Sequence, residues 1–363
     1  MTISGYITGI KYKVLLANDL QVFNYTGFDI NEVPPACMIS MKKHCFAISK
    51  WVSPKRTRSY PYERVYNTLN ISKKITVIPI VKDEGAAGDR DFIQWDTVSL
   101  ISLLDVYVIF AYYSKADKAN KKITNQQFHN KYILSKIKEI SQYHSSALHW
   151  NLNELNTNLH SIIDKVKSSY NAIERSTGVK LHNYSGLENF QNRIGEDVTQ
   201  FMQFSRGKAE KAQSREFVTI QPKESLSTST KAKITLTNYL GGQYFLTVDE
   251  VKTSKGKLSL VESKHSVNTL LPSLGDIKDG LLKMILYSNL SRTKANGKKI
   301  HSEPILALTS TKLIGSIKSN SSKKMIEAFF TRNNFSIAQS KLVTTLLSEA
   351  KSNNFTAIIK YSR

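Results

Sequence analysis

Tyr244–Lys264 reads YFLTVDEVKTSKGKLSLVESK. Apolar and β-branched residues dominate Tyr244–Val251 and Leu258–Lys264, and the Ser254-Lys255-Gly256 step between them contains the glycine that a short turn needs for positive φ. The stretch therefore predicts a β-hairpin. Successive side chains on a strand point to opposite faces, so Glu262 and Lys264 share one face and Ser263 takes the other. A hairpin folded about Ser254-Lys255 sets Asp249 opposite Leu260, and one folded about Lys255-Gly256 sets it opposite Glu262. In both registers Asp249 joins Glu262 and Lys264 while Glu250 points away; a slip of one residue would exchange the two acids.

Two carboxylates and a lysine gathered at a hairpin have a chemical use. Mg²⁺ keeps several waters and takes one or two protein carboxylates together with substrate phosphate oxygens, so Asp249 and Glu262 suit it as ligands. Such an ion polarises a scissile phosphate and acidifies a bound water, and Lys264 would orient that water or stabilise charge on the phosphoryl oxygens. The chemistry is hydrolysis of a phosphodiester. The plain alternative is an exposed strand with a chance ion pair.

Asp249 followed after twelve residues by Glu262-x-Lys264 resembles the active-site signature of the PD-(D/E)XK nuclease superfamily, and its setting resembles a type II restriction endonuclease. Val248 stands where the family's label names Pro. The resemblance implies an α/β (α+β) core around a mixed sheet, with an acid-bearing helix before the sheet and a further helix and strand after the E-x-K strand. Leu187–Phe204 supplies the first helix candidate, with Glu196 as the acid that some family members add to the site. Its neighbour Asp197 lies about 100° round the helix, so one of the two faces the metal. Strand candidates Phe217–Gln221 and Lys233–Tyr239 precede the hairpin. Ser273-x-x-Asp276 opens the amphipathic run Ile277–Leu290, and Pro304–Ser310 reads as the next strand. The resemblance further implies duplex DNA as substrate, Mg²⁺ as cofactor, a homodimer, and a cognate DNA methyltransferase as partner.

The 363-residue chain carries 51 Lys+Arg against 29 Asp+Glu, a formal net charge of +22. That excess favours a polyanion, because each phosphate neutralised releases counterions. It does not separate a nuclease from other proteins that meet nucleic acid or an anionic membrane surface. No apolar run approaches the ~20 residues needed to cross a bilayer, and no secretory leader is visible, so a cytoplasmic location is expected. Cys37 and Cys45, the only cysteines, are expected to be buried reduced thiols.

Three regions are expected. Residues 1–115 form a mixed α/β domain suited to DNA recognition, with a strand at Ile75–Val81 in which Pro79 marks an edge or a bulge, a helix at Trp95–Leu104 and a strand at Val106–Tyr113. Residues 120–178 form a helical hairpin for packing or dimerisation, with one helix at Gln126–Tyr143 and an apolar stripe from Leu152 to Ile173 on a second. Residues 181–363 hold the nuclease-like core, closed by helices Met325–Thr331 and Ile337–Ser352 and the strand Thr356–Tyr361. That tail reads as completion of the core or as a winged-helix reader.

Basic segments offer phosphate contacts, or an Arg fork to a guanine edge. They are Lys50–Arg64 (Lys55, Arg56, Arg58, Arg64), Ser205–Ser229 (Arg206, Lys208) and the loop Ser291–Lys299 (Arg292, Lys294), with a similar loop at Ser316–Lys324. Each reads equally as a solvated surface segment. Asp83, Glu84, Asp89 and Asp91, in a glycine-containing loop, are a rival acidic cluster, with paired or solvated carboxylates as its simpler account. A structure-specific repair or junction nuclease and a non-enzymatic DNA-binding protein remain alternatives to the restriction enzyme.

Overall fold

The computed structural model describes residues 1–42, 44–54, 60–194, 199–203, 205–207, 230–254 and 256–362. The strand candidate Phe217–Gln221 lies outside them. The fold is mixed α/β, and the chain divides into two compact units: Met1–Asn18 with Lys208–Arg363, and Asp19–Gly207. The first eighteen residues thus pack with the C-terminal part of the chain rather than with 19–115, and the helical segment 120–178 belongs to the same unit as the strands before it.

The first unit is built on a nine-stranded sheet. In chain order its strands are β1 (Thr2–Ile7), β2 (Thr230–Asn238), β3 (Gln243–Ser254), β4 (Lys257–Ser266), β5 (Leu290–Ala295), β6 (Lys298–Lys299), β7 (His301–Ser310), β8 (Ser316–Lys318) and β9 (Thr356–Tyr361). Their spatial order is β6-β5-β1-β2-β3-β4-β7-β9-β8. β3 runs antiparallel to both β2 and β4, whereas β4, β7 and β9 run parallel. A parallel step needs a crossover. Helix α1 (Leu274–Ser288) supplies it between β4 and β7, and α2 (Lys323–Arg332) and α3 (Ile337–Ser352) lie between β7 and β9. Ser273 caps α1 by accepting the Asp276 amide, and Ser336 with Gln339 forms a reciprocal capping box on α3. The tail therefore completes the sheet through β9 and is not a separate winged helix.

The Ser291–Lys299 segment is a hairpin, not a loop. Asn296 and Gly297 both take positive φ (47° and 81°), the conformation that suits a two-residue turn between twisted strands, so the basic residues sit on paired strands. Ser316–Lys324 likewise contributes β8 and the start of α2.

In the second unit a five-stranded sheet runs in the order Val22–Asn24, Ala36–Met41, His44–Lys50, Lys74–Pro79, Tyr107–Ala111. Lys74–Pro79 is buried throughout and lies between two neighbours, so Pro79 marks the end of an inner strand rather than an edge. Residues Tyr113–Phe128 form a hairpin, and the helix after it runs only from Asn130 to Ser141. The Leu152–Ile173 stripe is divided between Ala147–Thr157 and Leu159–Thr177, which meet at Asn158. Leu155, Leu159, Ile162, Val166, Tyr170 and Ile173 are all buried inside the chain, so the stripe serves packing and is not an open seam for a second copy. Cys37 is buried as expected but Cys45 is exposed. Among the described residues no helix is long and apolar enough to cross a membrane.

Candidate active site

The β3–β4 ladder pairs Ser254 with Lys257 and continues to Glu250 with Val261, where it stops. This register is the one that folds about Lys255-Gly256, and its next step would bring Asp249 against Glu262. Beyond the last pair β3 stays bonded only to β2, and β4 only to β7, so the sheet forks at the two acids. The opposite edge of β3 is irregular at the same place. Val248 faces Ala232 and Val251 faces Thr230, so Asp249 and Glu250 together span a single residue of β2. Such a bulge bends the strand and re-aims side chains. Asp249 Oδ2 accepts the Ser263 amide (2.9 Å), which stands on the β4 edge just past the ladder, while Glu250 ion-pairs with exposed Lys252 (2.6 Å).

Glu262 is 1% exposed, and both of its oxygens are engaged. Oε1 meets the Lys264 ammonium at 3.0 Å and Oε2 accepts from Lys283 at 2.8 Å. Lys264 also donates to Asp279 Oδ2 at 2.5 Å. Burial, the largest influence, pulls the Lys264 ammonium down, but Glu262 and then Asp279 outweigh it against opposition from Lys283, and the group sits above its ordinary value. Lys283 is held well above the usual lysine value: burial again acts downward and is overcome by Glu262, then Tyr287, Asp249 and Asp279. Both lysines are therefore cations at neutral pH, facing three carboxylates.

Asp279 and Lys283, one turn apart on α1, belong to this constellation, and the sequence reading did not include them. Their spacing is that of an ordinary surface pair on an amphipathic helix. The signal that could have separated them from such a pair is Asp279-Gly280. A Cβ on Gly280 would lie 2.6 Å from Leu306 Cδ1 and 3.5 Å from Lys264 Cε, so the missing side chain lets α1 approach the sheet closely enough to bring its polar residues to Lys264.

Among the described residues no three His, Cys, Asp or Glu side chains gather into a ready metal cage. Mg²⁺ does not need one. Asp249 and Glu262 supply two carboxylates, and because the N–H and C=O of one residue leave a strand on the same side, the Ser263 carbonyl lines the fork with its amide. The donor set is oxygen-only and fits a hard divalent cation.

The other proposed residues do not converge on the fork. Glu196, Lys55, Arg56, Arg58 and Lys208 lie outside the described residues. Arg64 Nη1 donates to the Lys50 carbonyl (2.7 Å), a contact internal to the second unit, and Arg206 lies on a helical segment rather than in a loop. Arg292 stacks over the Tyr6 ring at 5.6 Å, and Lys294 is exposed on the same strand. Three strand spacings separate β5 from β3, roughly 14 Å. In the rival acidic loop, Asp83 is buried against His182 Nδ1 (2.8 Å) and the Gly85 amide (2.8 Å), Glu84 pairs with Lys82 (2.9 Å), and Asp91 accepts from Ser53 (3.1 Å). These carboxylates serve local fold contacts.

Compared with protein-family models, curated proteins and solved structures, the chain matches none.

Proposed function

We propose that the chain is a Mg²⁺-dependent endonuclease acting on double-stranded DNA, and that it belongs with the type II restriction enzymes its signature resembles. The observation that carries this reading is the fork. The β3–β4 ladder ends one step before Asp249 and Glu262, Asp249 caps the Ser263 amide at 2.9 Å, and the Lys264 ammonium lies 3.0 Å from Glu262. The order of strands, helix and parallel strand from β2 to β7 supports it, as does the net charge of +22.

In this reading Asp249 and Glu262 would hold the ion, which would supply Lewis acidity to the scissile phosphate and acidify a water. Lys264 positions that water or meets charge developing on the phosphoryl oxygens. Ser263 fixes the Asp249 carboxylate through its amide, so one acid is oriented by backbone and the other by ammonium groups. Exposed Lys294 and Arg292, on a strand displaced from the fork, suit phosphates away from the cut. A homodimer would cut both strands of a symmetric site.

The test is digestion of a long, unmethylated duplex by the purified chain with Mg²⁺, beside an EDTA control and Glu262→Gln, which keeps an oxygen for Lys283. Discrete fragments that vanish in both controls are expected, with at least ~10³-fold loss in the variant. Nicking confined to junctions or flaps would replace the restriction reading by a structure-specific nuclease. Tight binding without any cleavage by folded protein would overturn the enzyme altogether.

A further inference from the structure

The two lysines on Glu262 are not equivalent. Among the described residues Lys283 has one hydrogen-bond partner, Glu262 Oε2 at 2.8 Å, with Asp249 and Asp279 acting on it only through space. Lys264 has two partners, and the shorter contact is to Asp279 (2.5 Å) rather than to Glu262 (3.0 Å). An ion that took Oε2 would strip the half-buried Lys283 of its only protein acceptor among the described residues and leave it to what water reaches it. An ion that took Oε1 would leave Lys264 fully paired.

We propose that Asp279 is a positioning residue that receives the Lys264 ammonium, so that Lys264 can release Glu262 Oε1 to a divalent cation while Lys283 keeps Oε2. The inference rests on the metal-dependent reading above and adds which oxygen the ion takes and what frees it. Asp279 is 7% exposed and Lys264 is close to it through the Gly280 approach, so the ammonium needs to shift only from two acceptors to one. Lys264 then remains beside the cation and is not expelled from the site. Glu262, pinned at one oxygen, presents the other in a fixed direction.

The rival role for Asp279 is direct ligation, and a double-mutant cycle separates the two. Mn²⁺ affinity is measured calorimetrically, without DNA, for the wild type, Asp279→Asn, Lys264→Met and the double variant. If Asp279 receives Lys264, Asp279→Asn leaves the ammonium on Glu262 in direct competition with the ion, and affinity falls about tenfold, equivalent to about 1.4 kcal/mol. In the Lys264→Met background there is no ammonium to receive, and the same change lowers affinity by less than about threefold. Lys264→Met alone binds Mn²⁺ more tightly than the wild type. An equal fall in both backgrounds makes Asp279 a ligand or a remote charge, and no fall in either removes its role; both overturn the inference while leaving the metal site standing. No binding by any of the four proteins overturns the metal reading and the inference together. Lys264→Gln with Asp279→Ser runs the same cycle if either first variant fails to fold, as judged by circular dichroism.

Discussion

Replacing Lys283 by Met removes the ammonium from Glu262 Oε2 while keeping most of the apolar stem of the side chain. Glu262 is 1% exposed, so its carboxylate has little access to compensating water, and what remains to it is Lys264 at 3.0 Å. Removing one partner of a buried ion pair costs about 3–5 kcal/mol. Here the figure is smaller, because the Lys283 side chain keeps 24% of its exposure and Lys264 still neutralises the acid. A loss of about 2 kcal/mol is expected. Glu262→Leu strands Lys283 near Asp249 and Asp279 at longer range and costs a similar amount, whereas the double variant removes both charges and falls short of additivity by roughly 2 kcal/mol. The assay is urea denaturation in EDTA, followed by far-UV circular dichroism. All three tryptophans, Trp51, Trp95 and Trp150, lie in the Asp19–Gly207 unit, so their fluorescence follows the other transition and serves as the internal reference. With a urea slope of about 2 kcal/mol/M, the dichroism midpoint of the first unit falls by roughly 1 M. An unchanged midpoint in Lys283→Met, or a strictly additive cycle, would refute the pairing of Lys283 with Glu262.

Two further outcomes follow from buried polar groups elsewhere. Glu349 on α3 is buried and accepts from the Tyr12 hydroxyl and the Leu15 and Leu16 amides, each at 2.9 Å, so it fastens the N-terminal segment to the C-terminal helix of its unit. Glu349→Ala removes the acceptor of these three contacts, costs about 3 kcal/mol, and lowers the melting temperature of that unit by roughly 8 °C in a thermal scan. Cys37 has its thiol pushed up to about 11 by burial, with the Lys50 ammonium acting weakly against it. A disulfide reagent at pH 8 is expected to titrate exposed Cys45 and spare Cys37 until urea is added. A thiol protonated when folded and ionised when unfolded means that stability falls as pH rises between about 9 and 11, by up to about 3 kcal/mol. Cys37→Ala should remove that slope, and prompt labelling of both thiols in native protein would contradict it.

Local pattern carried much of the C-terminal half. The hairpin and its turn, though not the full length of its strands, the Ser273 cap and the elements Ile337–Ser352 and Thr356–Tyr361 follow from periodicity, capping chemistry and the positive φ of glycine, each of which acts within a few residues. What was hidden depends on distance in sequence. Thr2–Ile7 pairs in parallel with Lys233–Asn238 more than two hundred residues away, and nothing within TISGYI names that partner. Asp279 and Lys283 look like a solvated helix pair until the sheet beneath them is known. The Gln126–Tyr143 helix is present but starts late, at Asn130: Phe128 suits its stripe, but the strand Lys122–Phe128 is held by its hairpin partner, and tertiary pairing overrode local periodicity at that end. Asn158 divides the second stripe with no glycine or proline to announce the break.

The fork explains how a charged cluster survives in an apolar sheet. Glu262 and Asp279 contact two ammonium groups and Asp249 acts on Lys283 through space, a formal count of three acids against two bases that leaves one negative charge before any ion binds. A single buried carboxylate would be pushed toward its neutral form, and a site of acids alone would repel itself until a cation arrived. Here Lys264 and Lys283 supply that neutralisation from within the chain. The metal is therefore not needed to hold the strands together, in contrast to small domains whose folding free energy is the metal's binding energy. EDTA should leave the far-UV spectrum and the urea midpoint of this unit unchanged, and on the proposed nuclease reading it should abolish cleavage; a chelator-induced unfolding transition would show that the lysines do not carry the neutralisation assigned to them. On the proposed reading the remaining negative charge would still favour entry of a divalent cation, and binding it would reorganise ammonium contacts instead of assembling the site.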